Sequence, residues 1–243
     1  MIRLDNVTCG YGGSPVLSRV SLSIAEGETV MITGPNGAGK STMLRVLAGL
    51  LAPSKGDVDY GWPEGRDPRH LTGYLPDSTC IYRSLKVNQL ERLHRESYGL
   101  PRSPLPLLEK ASIPESARIG ELSGGHRVLV HLSLILSTRP RLILLDEVLN
   151  TVDPYLRDLA LQEIVTAMAD TTPAVVMVNL VFGETAPLAE RVVFLDYDGI
   201  KLDEPVDQLR HNPLVQAAGI EKGIPGMLTE LIHIAHGERR NPQ

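Results

Sequence analysis

The chain has 243 residues, 42% of them apolar and 4% aromatic, with 24 Lys plus Arg against 29 Asp plus Glu and a formal net charge of −5. That length permits one large domain, or one domain carrying an inserted lobe, with a core that Leu, Val, Ile and Ala must fill. The acidic balance does not supply the basic face of a nucleic-acid binder, so no nucleic acid is expected as a partner. Residues 1–9 and 16–25 read as strands, the second because Val20, Leu22 and Ile24 alternate with serines. A turn at Gly27 and Glu28 leads into a strand over 28–33, then a glycine-rich loop, then a helix from Lys40 with Met43, Leu47 and Leu50 on one side. Gly49 and Pro53 mark the end of that helix, and 56–60 and 71–75 are short strands. Between 77 and 122 the character changes to helical spacing (Val87, Leu90, Leu93) broken by Pro101, Pro104 and Pro106, which reads as an inserted helical lobe. A helix over 124–137 precedes the strand RLILLDE at 141–147, and Asp153-Pro154 starts another helix. Two further apolar strands, 174–178 and 192–196, have a helix between them, and 205–243 reads as helical and peripheral.

Strands alternating with helices predict an α/β fold with a mostly parallel sheet flanked by helices. No apolar run reaches the roughly 18 residues that span a bilayer, because His131 and Asn179 interrupt the longest ones. The opening MIRLDNVTCG lacks a signal-peptide pattern. Cys9 and Cys80 have neither metal-site nor disulfide spacing and read as ordinary thiols of a reducing compartment. A cytoplasmic location is therefore expected.

The strongest motif is GPNGAGKST, residues 34–42, set between a predicted strand and a predicted helix. Gly34, Pro35, Asn36, Gly37, Ala38 and Gly39 form a loop whose glycines let successive N–H groups turn inward toward phosphate oxygens. The helix N-terminus adds positive potential. Lys40 is placed to reach the outer phosphates, Ser41 to ligate Mg²⁺, and Thr42 completes the motif. In LILLDE, Asp146 and Glu147 end a buried strand, which predicts that they lie at the same sheet edge as the loop. Asp146 would hold the Mg²⁺ and Glu147 would polarise an attacking water. A helix cap or a surface pair is the plainer reading of these two carboxylates.

Together with LSGGHR at 122–127, these motifs resemble the ATP-binding cassette family, over roughly residues 2–215. The resemblance implies a P-loop NTPase core over 1–76 and 123–215, an N-terminal antiparallel β subdomain, a helical lobe at 77–122 and a C-terminal helical extension at 216–243. It implies that Ser123, Gly124 and Gly125 contact the γ-phosphate held by an opposing subunit, so that two cassettes, identical or different, close head to tail on Mg²⁺-ATP. Tyr11 matches the aromatic that stacks on adenine, against the plainer reading of a turn tyrosine. Asn150 and Asp153 would lie at the dimer interface, although Val148 and Thr151 replace the family's usual proline and glycine. Tyr82, Leu85 and Val87 would line a groove for an integral membrane subunit, which would hold the chain peripherally at the inner face of the membrane.

Three positions depart from the pattern. Asp77 stands where the family usually has a glutamine linking Mg²⁺ to the attacking water; as an aspartate it can still approach a metal. The wording GYLPD resembles the exporter branch, so export is expected. The switch histidine falls at Leu180, or at Asn179 if the turn differs by one residue, and only Asn179 can hydrogen-bond. His126 replaces the usual glutamine of the signature and reads as a surface or interface histidine, while His131 reads as facing protein. The expected activity is transport-coupled ATP hydrolysis, impaired by the missing imidazole. A non-transport ATPase or a regulatory nucleotide-binding module is the alternative, and a P-loop kinase or GTPase would leave LSGG unexplained.

Overall fold

The computed structural model describes residues 1–62, 67–78, 81–178 and 188–213. The chain divides into two compact units, one of Met1–Pro63 with Ala174–Gln243 and one of Glu64–Pro173.

In the first unit, β1 (Ile2–Tyr11) lies between β2 (Ser14–Ile24) and β4 (Lys55–Asp59) in an antiparallel sheet. One face of β1 and β2 is apolar: Leu4, Val7 and Cys9 pair with Leu22, Val20 and Leu17, all buried. Leu4 to Val7 and Leu17 to Val20 are odd spacings, which a regular strand would point to opposite faces. The chain corrects each with a bulge, Asn6 (φ 48) on β1 and Arg19 (φ 50) on β2. The N–H groups freed there donate across the strands, Asn6 to Ser21 Oγ at 3.0 Å and Arg19 to Thr8 Oγ1 at 3.1 Å. Because one extra residue falls on each strand, the two insertions cancel and Cys9–Leu17 regains the register of Leu4–Leu22, before a further shift at Gly10.

The other strands of this unit are β3 (Thr29–Thr33), β7 (Ala174–Val178), β8 (Arg191–Asp196) and β9 (Gly199–Pro205). β3 pairs in parallel with both β7 and β8, and β9 is antiparallel to β8. Every residue of β3 and β7 is buried, as expected of parallel strands covered on both faces. Helix α1 (Lys40–Leu47) follows β3 and buries Met43, Leu44, Val46 and Leu47. Leu50, expected on its apolar side, lies beyond the helix end and is 56% exposed.

The described residues of the second unit hold β5 (Thr72–Leu75), paired in parallel with β6 (Leu142–Asp146), and the α-helices α2 (Val87–Tyr98), α3 (Pro106–Lys110), α4 (Gly124–Ser137) and α5 (Pro154–Thr171). α4 is buried at Val128, Leu129, Val130, Leu132, Leu134 and Ile135 and packs on α5, β5 and α3. Val87, at the start of α2, is only 2% exposed and also lines a cavity with Asn88, Glu91 and Leu108, whereas Tyr82 is 66% exposed.

β9 was not expected from the sequence. The helix expected between β7 and β8 falls on 179–187, and the C-terminal extension on 216–243, both outside the described residues. Residues 199–205, in contrast, place Pro205 at the end of a strand and not in a helix. No helix among the described residues is long and apolar enough to cross a membrane.

Candidate nucleotide site

The first unit supplies the phosphate loop. β3 ends at Thr33, and Gly34 turns the chain with φ 145, a conformation that L side chains rarely adopt. A Cβ built on Gly34 would lie 1.9 Å from the carbonyl oxygen of Leu195 on β8, so no other residue fits. The loop is closed by Ala38 N–H donating to Pro35 O at 3.2 Å. It is tied from outside by the Tyr197 hydroxyl, in the turn after β8, which donates to Asn36 O at 3.2 Å. Gly37 and Gly39 have φ 84 and 100, and Gly39, the N-cap of α1, offers no side-chain cap to the helix. Gly39 thus brings no side chain to the helix start that could compete there with an anion.

Lys40 is 6% exposed, and its Nζ donates to Gly34 O at 2.9 Å and Pro35 O at 3.1 Å. A buried ammonium needs such acceptors. These two lie at the opening of the loop, so the lysine points along the curl of the backbone. Ser41 is half-buried and Thr42 buried beside it. Tyr11, at the end of β1, is 47% exposed, and its hydroxyl accepts from Arg45 Nη1 on α1 at 2.8 Å. The aromatic ring is thereby fixed to the same helix that begins with Lys40.

The second unit supplies the carboxylates and the serine-glycine turn. Asp146 ends β6 with no exposed surface, and the Tyr74 hydroxyl on β5 donates to its Oδ2 at 3.1 Å. Glu147 follows with φ 53, in the left-handed region, which costs a non-glycine residue about 1–2 kcal/mol. Such strain at a strand end is held by the surrounding structure and is common at functional sites. Glu147 is half-buried.

Ser123 caps α4: its Oγ accepts from His126 N–H at 3.1 Å and lies 3.0 Å from His126 Nδ1. The Arg127 guanidinium donates to Leu122 O. Gly125 sits where a Cβ would come within 2.9 Å of Leu156 Cδ1, so the first turn of α4 packs closely on the start of α5. Gly124 is exposed. Asp153 caps α5 by accepting from Leu156 N–H at 3.1 Å. Asp77 is exposed, and its carboxylate accepts from Ser78 N–H at 2.7 Å.

Of the residues singled out in the sequence, Tyr11 and 34–42 therefore belong to the first unit, and Asp77, Ser123, Gly124, Gly125, Asp146 and Glu147 to the second. Asn179, Leu180 and the side chain of Asn150 lie outside the described residues. Cys9 is buried, and its thiol, pushed up by burial, donates weakly to Ala52 O; Cys80 is outside the described residues. The sequence assigned no role to Tyr74, within GYLPD, or to Tyr197, outside any motif; only the fold brings their hydroxyls to the acidic strand and to the loop.

A glycine loop that turns a buried lysine back onto its own carbonyls, between a parallel strand and a helix, defines a P-loop nucleotide-binding protein. A family model described as "ABC transporter" matches residues 17–150. The chain is 32% identical over 168 residues to the high-affinity zinc uptake system ATP-binding protein ZnuC of Bacillus subtilis, covering 63% of this chain and 72% of the relative. It is 34% identical over 204 residues to the aliphatic sulfonates import ATP-binding protein SsuB 3 of Rhodococcus jostii, covering 83% and 74%. With the putrescine transport ATP-binding protein PotG of Escherichia coli it shares 30% over 225 residues, 87% of this chain but 59% of the relative. Among solved structures, an ATP-binding subunit of an ABC transporter superposes with a TM-score of 0.82 at 23% identity, over 95% of this chain and 99% of that one, a likeness of fold. A dimeric post-hydrolysis ATP-binding cassette bound to ADP and Pi gives 0.73 at 26%, over 85% and 99%.

The chain belongs to the ABC transporter family of ATP-hydrolysing cassettes, with its α/β P-loop fold, antiparallel β subdomain and mostly parallel sheet flanked by helices. ZnuC and SsuB 3 are named for uptake and import, so the exporter likeness expected from GYLPD finds no support among them.

Proposed function

We propose that this chain is the ATPase subunit of a transporter: it pairs head to tail with a second cassette on Mg²⁺-ATP and drives an integral membrane partner from the inner face of the membrane. The observation that carries the reading is Lys40, buried with its ammonium on the Gly34 and Pro35 carbonyls of the loop, at the start of a helix with no side-chain cap. Lys40 and the amides of 34–42 hold the outer phosphates, and Tyr11 takes the adenine. The oxygen donors Ser41 and Asp146, with Asp77 as a further approach, suit a hard divalent cation, and the fully buried Asp146 held by Tyr74 is a carboxylate that a cation would compensate. Mg²⁺, when bound, neutralises phosphate charge. Glu147 orients the attacking water and accepts its proton. Ser123, Gly124 and Gly125 face the nucleotide of the opposing cassette, and the lobe at 77–122 transmits closure to the membrane partner.

The switch imidazole is missing in this reading, with Asn179 the one nearby side chain able to hydrogen-bond, and turnover is slower by up to about 10²–10³, the usual effect of losing one donor to developing charge. Direction belongs to the membrane partner; the names ZnuC and SsuB 3 favour uptake over the export suggested by residues 73–77. Equilibrium nucleotide binding and sedimentation test the reading. Lys40→Ala is expected to lose both ATP uptake and ATP-dependent pairing. Glu147→Gln is expected to keep both while turnover falls by about 10³. A Lys40→Ala chain that still pairs on ATP would overturn the proposal.

A further inference from the structure

The structure shows a contact at the serine-glycine turn that the signature motif alone does not imply. Ser123 Oγ can accept two hydrogen bonds and donate one. His126 N–H fills one acceptor position at 3.1 Å, and His126 Nδ1 stands 3.0 Å from the same oxygen. Only two arrangements satisfy this geometry. With a bare Nδ1, the serine hydroxyl donates to it, its proton is turned back onto its own chain, and Oγ offers an incoming anion no donor. With a proton on Nδ1, the imidazole donates to Oγ, both acceptor positions are filled, and the hydroxyl proton is free to point outward. A phosphate oxygen is an acceptor only, so its arrival is compatible with the second arrangement and opposed by the first.

We infer that His126 is a positioning residue: by carrying its proton on Nδ1 it directs the Ser123 hydroxyl outward to the terminal phosphate of a nucleotide held by the opposing cassette. This rests on the function proposed above. Ser123 is exposed and can meet a ligand, whereas His126 is half-buried at the first turn of α4, where Gly125 packs on Leu156 and holds the turn in place. The backbone N–H that caps the helix is untouched by substitution at His126, so cap and positioning role separate experimentally.

The test uses the full chain carrying Glu147→Gln, with Mg²⁺-ATP, alone and with any second cassette that co-purifies with it. Pairing is read by sedimentation, and the His126 ring nitrogens by ¹⁵N NMR. His126→Ala is expected to raise the ATP concentration for half-maximal pairing about tenfold, the loss of one charge-assisted hydrogen bond. His126→Asn, whose amide can occupy the place of Nδ1, is expected to restore pairing to within about twofold. The unsubstituted histidine is expected to show a protonated Nδ1 in the paired state. Unchanged pairing by His126→Ala, or a bare Nδ1 in the ATP-held pair, overturns the inference and leaves the proposed function standing. If His126→Ala does not fold, the asparagine variant and the NMR signal decide between the same two outcomes. Absence of ATP-dependent pairing with His126 in place overturns the proposed function and this inference together.

Discussion

α1 and α4 both begin at glycine-containing turns, yet they treat their first turns in opposite ways. α1 is preceded by Gly39, which supplies no side-chain cap, and its first residue, Lys40, is buried with its charge met by two carbonyls. α4 is preceded by Ser123, which caps the helix with its own oxygen, and carries further on the half-buried His131, whose buried Nδ1 has no hydrogen-bond partner among the described residues. The difference separates two ways of meeting an anion. A loop that uses backbone amides must withhold competing side chains and fix the backbone rigidly. A turn that uses a side chain must first decide where that side chain's proton points. The first is vulnerable to steric change, the second to changes in hydrogen bonding.

Gly34→Ala is the largest effect expected from this contrast. The new methyl would meet the Leu195 carbonyl at 1.9 Å in a backbone conformation that alanine avoids. The expected loss is about 3 kcal/mol or more, a fall of roughly 10 °C in Tm for a chain of this size, measured by thermal unfolding. Gly124→Ala is the matched control: only Arg127 lies near its Cβ, at 4.0 Å, and alanine is the better helix former. Equal losses at the two glycines would break the comparison.

The loop before α1 was legible in the sequence because its needs are local: glycines for left-handed backbone, a lysine at the helix start, an apolar strand before it. Asp153-Pro154 was legible for the same reason, and the cap is where the sequence put it. What the sequence hid is non-local. The bulges at Asn6 and Arg19 exist only because two strands must keep one face in register. β9, GIKLDEP, buries Leu202 alone, so its pattern is too weak to read without β8 beside it. Leu50 has helical spacing, but the helix has already ended and the leucine is in solvent. Nor does the sequence show that the chain folds back at Ala117 to accept the Val87 N–H at the start of α2. The contacts of Tyr74 with Asp146 and Tyr197 with Asn36 span 72 and 161 positions, distances over which no motif reports.

The middle effect concerns His131 of α4, half-buried with its Nδ1 out of water. Burial first, and the neighbouring His94 second, lower the His131 pKa from 6.5 to about 4. The folded chain therefore takes up this proton at lower pH than the unfolded chain does. Between pH 6.5 and 4 the unfolded state holds more protons, so stability falls as pH falls, beginning below 6.5 and complete near 4. The loss from this group is as much as about 3 kcal/mol. His94, lowered in the same direction by burial, adds to it. Denaturant unfolding across that range is expected to show the slope, and His131→Gln to flatten it. A flat profile in the unsubstituted chain would remove the contrast between the Lys40 ammonium, met by two carbonyls, and the unpartnered ring nitrogen of His131.

Ser123→Ala gives the smallest change in stability and the sharpest separation. Removing the cap leaves His126 N–H without its acceptor and costs about 1 kcal/mol, since the turn is exposed and water replaces part of the bond. Ser123→Gly removes the same oxygen but costs only a few tenths, because glycine is itself a tolerated N-cap. Both variants equally lack the hydroxyl proposed to meet the opposing nucleotide. Their stabilities in urea are therefore expected to differ, while their ATP-dependent pairing falls together. Pairing that instead tracked stability would mean that Ser123 matters to this chain only as a helix cap, and α4 would then differ from α1 in how it is built but not in what it binds.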